Sequence, residues 1–242
     1  MENPEWIVLD VDGVLIEVED SYDLAVKRTV EKLWTKLGKG GSISLETIRA
    51  FRRKGQFGDD YSVTEGLALA GLNEDPKKFV EEFPRGEELD WIRNRIGKRI
   101  GEEKVQPIFD RLYLGEGDSP SEDGLWQEEE PLVDTALLDK ASVQFKLGYI
   151  TGRSRQELKL AARVLNHELS NAVTREDFRK PDTRALAHLV GESSGIYAGD
   201  TYNDRLLVEN YNEETKGDFE FVMIDPGNPI NRVLRDLLDK KR

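Results

Sequence analysis

After Pro131, short apolar runs alternate with stretches of helical periodicity, and this alternation constrains the fold more than any other feature of the 242-residue chain. The pattern predicts helices over 132–141, 155–165, 181–190, 204–211 and 231–238, with strands at 145–150, 172–173, 196–198 and 219–224. Strands separated by helices favour a parallel sheet covered on its faces. One further strand, 6–11, stands alone at the N-terminus. It has no sheet partner nearby, so it is assigned to the later strands. The expectation is an α/β domain built from residues 1–15 and 131–242, with a helical domain inserted at 16–130.

Within the insert, Leu24, Val30, Leu33, Trp34 and Leu37 recur at helical spacing, and glycines follow at 38, 40 and 41. Leu45, Ile48 and Phe51 predict a second helix. Ser62 with Glu65 reads as a capping box for a third. Further helices are predicted at 76–83, 87–100 and 104–114. Residues 115–130, rich in glycine, serine, proline and acid, read as a long surface loop.

Composition narrows the function classes. The net charge of -13 repels nucleic acid and anionic membrane, so neither is an expected partner. There is no cysteine, hence no disulfide and no thiolate chemistry. That fits a cytoplasmic protein. No apolar run reaches membrane-spanning length, and the start of the chain lacks the basic residues of a signal peptide. The two histidines, His167 and His188, fall on predicted helices and read as structural or exposed.

The first strand ends in Asp10-Val11-Asp12-Gly13. Buried strands seldom carry carboxylates, and two of them before a turn-forming glycine suggest a reactive or metal-binding pair. Thr151 follows the predicted strand at 145–150. Lys180 precedes Pro181, itself suited to a helix first turn. Asp200 and Asp204 follow the strand at 196–198. In a parallel sheet such strand ends converge on one edge.

Together, Asp10-Val11-Asp12-Gly13, Thr151, Lys180-Pro181 and Gly199-Asp200-Thr201-Tyr202-Asn203-Asp204 resemble the four motifs of the haloacid dehalogenase (HAD) superfamily. The resemblance covers the whole chain. It implies a three-layer, Rossmann-like α/β core with an inserted helical C1 cap, as in subfamily IA. It also implies a magnesium-dependent phosphatase that forms an aspartyl-phosphate. Asp10 is then the nucleophile, and Asp12 the acid that protonates the leaving group and later deprotonates water. Asp10, the backbone carbonyl of Asp12, and Asp200 are ligands of Mg²⁺, with Asp204 a ligand through water or a support. Thr151 and Gly152 hold phosphate oxygens, and Arg153 is a weaker candidate for substrate contact. Lys180 steadies Asp10 and the transferring group, with Arg179 as its rival.

The cap is expected to select the leaving group. Its segment 52–61 joins Arg52, Arg53 and Lys54 to glycines and aromatics, and it resembles a loop in one subfamily of C1-capped proteins. Arg53 and Lys54 are the candidate substrate contacts there. The expected substrate is a small phosphorylated metabolite, and nothing in the sequence names a protein partner. A phosphomutase of the same fold and a non-catalytic metabolite-binding protein are the alternatives. The intact acidic set disfavours the second.

Overall fold

The computed structural model describes residues 4–57, 59–117, 120–121 and 123–240. The strands β1 (Trp6–Leu9) and β2 (Ile16–Glu17) come first. Six helices follow: α1 (Glu19–Lys36), α2 (Leu45–Lys54), α3 (Asp60–Asn73), α4 (Pro76–Glu82), α5 (Leu89–Ile96) and α6 (Glu102–Leu114). After a 3₁₀ turn at Leu125–Glu128 and strand β3 (Glu130–Pro131) come α7 (Thr135–Gln144), β4 (Lys146–Ile150), α8 (Arg155–Leu165), β5 (Ala172–Val173) and α9 (Arg184–Val190). The chain closes with β6 (Ser194–Gly199), α10 (Tyr202–Glu214), β7 (Asp218–Met223) and α11 (Ile230–Lys240). Two compact units result, one from residues up to 18 and from 129 onward, the other from 19 to 128.

The first unit holds a five-stranded parallel sheet in the order β5-β4-β1-β6-β7. Its strands alternate sides residue by residue. Ile7, Leu9, Leu147, Tyr149, Ile196 and Ala198 face α7, α8 and α11, which supply Leu138, Leu165 and Leu234. Val8, Ile150 and Tyr197 face the opposite way, toward Leu186 of α9 and Leu207 of α10. The sheet is therefore buried on both faces, which is why its strands read as apolar runs rather than as a polar–apolar alternation. Strand β1 lies at the centre, between β4 and β6. The chain passes from β1 to β4 on one side and returns to β6 on the other, so the sheet changes winding direction at the C-terminal end of β1. Crevices form at such switch points.

The second unit packs its helices around α1 and α3. Trp34 of α1 lies against Gly71, where a Cβ would come within 2.0 Å of the indole, and its N–H donates to the Ala68 carbonyl at 2.9 Å. Phe51, Phe57, Phe79, Phe83 and Trp91 form an aromatic cluster. Glu65 is buried and accepts from Arg93 at 2.8 and 3.1 Å and from the Ile100 N–H at 3.0 Å.

Three local expectations are corrected. The N-cap of α3 is Asp59, which accepts from the Ser62 N–H, because Glu65 is drawn inward to Arg93 instead of back to Ser62. Helix α9 starts at Arg184 and not at Pro181, whose peptide bond to Lys180 is cis. The segment 115–130 is not wholly a surface loop: Leu125, Trp126 and Glu129 are buried. Asp118, Ser119 and Glu122 of that segment, and Gly58 of the basic loop, lie outside the described residues.

Candidate active site

The strand register sets the site. Leu9 pairs with Tyr149 on one side and Ala198 on the other, so Asp10 emerges level with Ile150 and Gly199. Thr151 and Asp200 lie one residue further along their own strands. The Asp10 backbone is still held by the sheet, its N–H donating to the Ala198 carbonyl at 2.9 Å. Beyond it the chain turns back sharply: the N–H groups of Leu15 and Ile16 both reach the Val11 carbonyl, and that of Gly13 reaches the Ile16 carbonyl. Gly13 has φ +71°, and a Cβ there would sit 2.1 Å from Asp200 Oδ2. Glycine at 13 therefore serves both the turn and the close approach of Asp200.

Asp10 is buried, with Oδ1 accepting from the Val11 N–H at 2.7 Å and Oδ2 facing Lys180 Nζ at 2.7 Å. The same ammonium donates to Asp204 Oδ1 at 2.7 Å. Thus Lys180, the residue of the Lys-Pro pair, bridges two buried carboxylates. Asp204 is saturated by further donors: the Tyr197 hydroxyl at 2.9 Å, and the N–H and hydroxyl of Thr201, the N-cap of α10. Its two oxygens thus take four hydrogen bonds, the engagement expected of a support.

Electrostatics point the same way. Burial alone would lower the Lys180 pKa, but Asp10 and Asp204 outweigh it and keep the ammonium protonated. Burial also raises the Asp204 carboxyl, and Lys180 reverses the sign and holds it below the ordinary range. Asp10 is pushed well above that range, first by burial and then, against Lys180, by Asp204, Asp12 and Asp200. Burial and Asp204 lift Asp200 to about 6.

Oxygens of Asp10, Asp200 and Asp204 lie within 4.8 Å of one another, and Lys180 is the ammonium paired with two of these acids. The buried Oδ1 of Asp200 has no hydrogen-bond partner. An all-oxygen donor set with surplus negative charge and an orphaned carboxylate oxygen fits a hard divalent cation.

Thr151 is buried at the end of β4, and its hydroxyl accepts from the Arg153 N–H at 3.1 Å. It does not cap α8. Ser154 does so, in a capping box with Glu157. Gly152 is exposed, with no neighbouring atom within 4 Å of where a Cβ would stand. Arg153 departs from its expected role. It is 0% exposed, and its guanidinium holds Asp12 Oδ1 at 2.7 Å and Glu129 Oε2 at 2.8 Å. It is not a solvent arginine.

The basic segment belongs to the other unit, where two of its cations are engaged. Lys54 Nζ donates to the carbonyls of Val80 and Glu81 at 2.8 Å each, at the end of α4. These contacts tie the ammonium to its own unit, apart from the expected substrate role. Arg52 pairs with Asp23 and Asp60. Arg53 is exposed.

Sequence reasoning missed Tyr197 and Glu129. Tyr197 is hidden in an apolar strand run. Glu129 sits between two other glutamates, and nothing in that acidic run distinguishes the buried one.

The site and fold define an α/β protein with carboxylates gathered at a sheet switch point. The chain is similar to phosphatase Tt82 from Thermococcus thioreducens, at 44% identity over 97% of this chain and 99% of that one, with a TM-score of 0.84. It also resembles a HAD-superfamily hydrolase of subfamily IA, variant 1, from Geobacter sulfurreducens PCA (16% identity, 97% and 96% coverage, TM-score 0.51). A hydrolase from Pseudomonas syringae is similarly related in fold (18%, 98% of each chain, TM-score 0.51). No family model and no curated protein matches the chain. The chain belongs to the HAD superfamily of hydrolases. It is an enzyme of that family.

Proposed function

We propose that the protein is a Mg²⁺-dependent phosphomonoester hydrolase acting on a small phosphorylated metabolite. The observation that carries this reading is the arrangement of Asp10, Lys180, Asp204 and Asp200 at the end of β1. The relation to a phosphatase at 44% identity supports it.

Asp10, the Asp12 carbonyl and Asp200 would hold the cation, and Asp204 would stand behind them through Lys180. The bound cation offsets the repulsion between an anionic nucleophile and a phosphoryl group. The rest is done by side chains. Lys180 works against the rise in the Asp10 pKa and orients its carboxylate. An Asp10 carboxylate oxygen bonds to phosphorus as the ester oxygen leaves, and Asp12 gives that oxygen its proton. The Thr151 hydroxyl and the Gly152 N–H would donate to phosphoryl oxygens. Asp12, now ionised, takes a proton from water, whose oxygen attacks phosphorus. The phosphate leaves and Asp10 is restored.

Among the described residues no helix is long and apolar enough to cross a membrane, in keeping with a cytoplasmic setting. The test is hydrolysis of a panel of phosphate esters with and without Mg²⁺, together with mass spectrometry of the trapped enzyme. An 80-Da adduct on Asp10, from the mass of HPO₃ at about 80 Da, is expected in the wild type and absent from Asp10→Asn. Activity retained by Asp10→Asn would overturn the assignment.

A further inference from the structure

Arg153 is a fully buried cation for which the steps above have no use. Its guanidinium lies between two carboxylates from separate parts of the core unit. One is Asp12, two residues past the end of β1. The other is Glu129, the first residue of that unit after residues 19–128, immediately before β3. The distances are 2.7 Å to Asp12 Oδ1 and 2.8 Å to Glu129 Oε2. Two further contacts fix the arginine itself: its N–H bonds to the Thr151 hydroxyl at 3.1 Å, and Nη1 to the Glu157 carbonyl at 3.3 Å. Glu157 is locked by the capping box of α8 and by Arg175 at 2.7 Å. Asp12 is the most exposed member of the triad, at 27% against 0% for the other two side chains.

We propose that Arg153, braced by Glu129, is a positioning residue that fixes the Asp12 carboxyl for proton exchange with the leaving group. A carboxyl on a turn of this exposure has several rotamers of similar energy. The planar guanidinium fork, rigid within the β4–α8 turn, selects one. Binding through Oδ1 leaves Oδ2 of Asp12 to carry the proton. Glu129 anchors Nη2, the same nitrogen that meets Asp12 Oδ1 beside the Nε contact. In this arrangement Arg153 contacts no phosphoryl oxygen, so it acts on turnover through Asp12 rather than on substrate affinity.

This role rests on the phosphatase reading, and the experiment separates the two. Steady-state kinetics are measured with phenyl phosphate and 4-nitrophenyl phosphate, esters of similar shape whose leaving groups differ in their need for a proton. Three proteins are compared: the wild type, Arg153→Lys, and the double variant Arg153→Met/Glu129→Gln, which leaves no unpaired buried charge. Thermal unfolding is followed for each. For both variants, kcat on phenyl phosphate is expected to fall about 100-fold, the scale of a misplaced catalytic group. The fall on 4-nitrophenyl phosphate should be several-fold smaller, with KM little changed on either ester. Equal falls on the two esters, a rise in KM at constant kcat, or full activity in Arg153→Lys would overturn the positioning role. A wild type that hydrolyses neither ester would instead overturn the phosphatase reading.

Discussion

At the scale of single residues, the candidate site is a set of buried charges each fixed by identifiable partners, and its weak points follow from that. Lys180 joins Asp10 to Asp204. Replacing it with Met leaves two buried carboxylates without their common cation, a change that costs about 3–5 kcal/mol for a broken buried pair. Lys180→Met should therefore lower both turnover and the unfolding midpoint, and calorimetry beside kinetics would show whether both fall. Gly13→Ala is the subtler case. The new Cβ would sit 2.1 Å from Asp200 Oδ2 at a φ of +71°, so Asp200 must move. Cation affinity by titration calorimetry should drop at least about 10-fold, equivalent to about 1.4 kcal/mol, while the fold persists. Unchanged affinity would mean that Asp200 is not part of the cation site. The gathering of these residues was legible in the sequence, because Asp10, Thr151 and Asp200 end or follow apolar runs, Asp12 stands two beyond Asp10, and Lys180 precedes Pro181. Arg153 was visible as a residue but not in its role. Its partner Glu129 lies far away in sequence, inside an acidic stretch where composition gives no cue to burial.

At the scale of elements, the sequence conveyed strand and helix positions in the core closely, since most strands carry an apolar run and helices such as α8 and α10 open on cap residues, Ser154 and Thr201. It conveyed less where a side chain has two possible uses. Glu65 fits a capping box by spacing but is buried against Arg93, and tertiary pairing won over local capping. That pairing has a pH signature. Burial raises the Glu65 carboxyl, but the hydrogen bonds from Arg93 and from the N–H groups of Ile100 and Gly101 outweigh it, and the pKa falls below 4.5. The folded form thus binds its proton less readily than the unfolded chain. Its contribution to stability is complete above pH 4.5 and is lost as pH drops through the folded value. The difference in unfolding midpoint between wild type and Glu65→Gln should accordingly be largest near neutrality and shrink below pH 4.5. A gap that stays constant down to pH 3, roughly one unit below the ordinary carboxylate range, would refute the coupling. Lys54 shows the same lesson. A lysine in a glycine-flanked loop looks available for substrate, but its ammonium is used on the last carbonyls of α4. Lys54→Met should cost about 0.3–1 kcal/mol of stability and leave kcat/KM on aryl phosphates where it was.

At the scale of the whole molecule, a net charge of -13 and an acidic cluster in the core unit give a divalent cation two ways to stabilise the protein, and they are separable. General screening acts on all 48 acidic residues and depends on ionic strength, not on which cation supplies it. A specific site stabilises by mass action, by about 2.7 kcal/mol when Mg²⁺ is present at 100 times its dissociation constant. For a chain of this length that corresponds to a rise in midpoint of roughly 5–10 °C. The cluster belongs to one of the two units. If heating resolves two transitions, the specific part of the rise should therefore belong to the transition of the unit containing the sheet. The comparison is scanning calorimetry in MgCl₂, in NaCl at equal ionic strength, and in EDTA, for wild type and Asp200→Asn. Mg²⁺ should raise the wild-type midpoint beyond the NaCl value, EDTA should reverse the rise, and Asp200→Asn should respond to the two salts alike. An identical rise in both salts for the wild type would reduce the cation to a screening counterion and remove the specific site from the core.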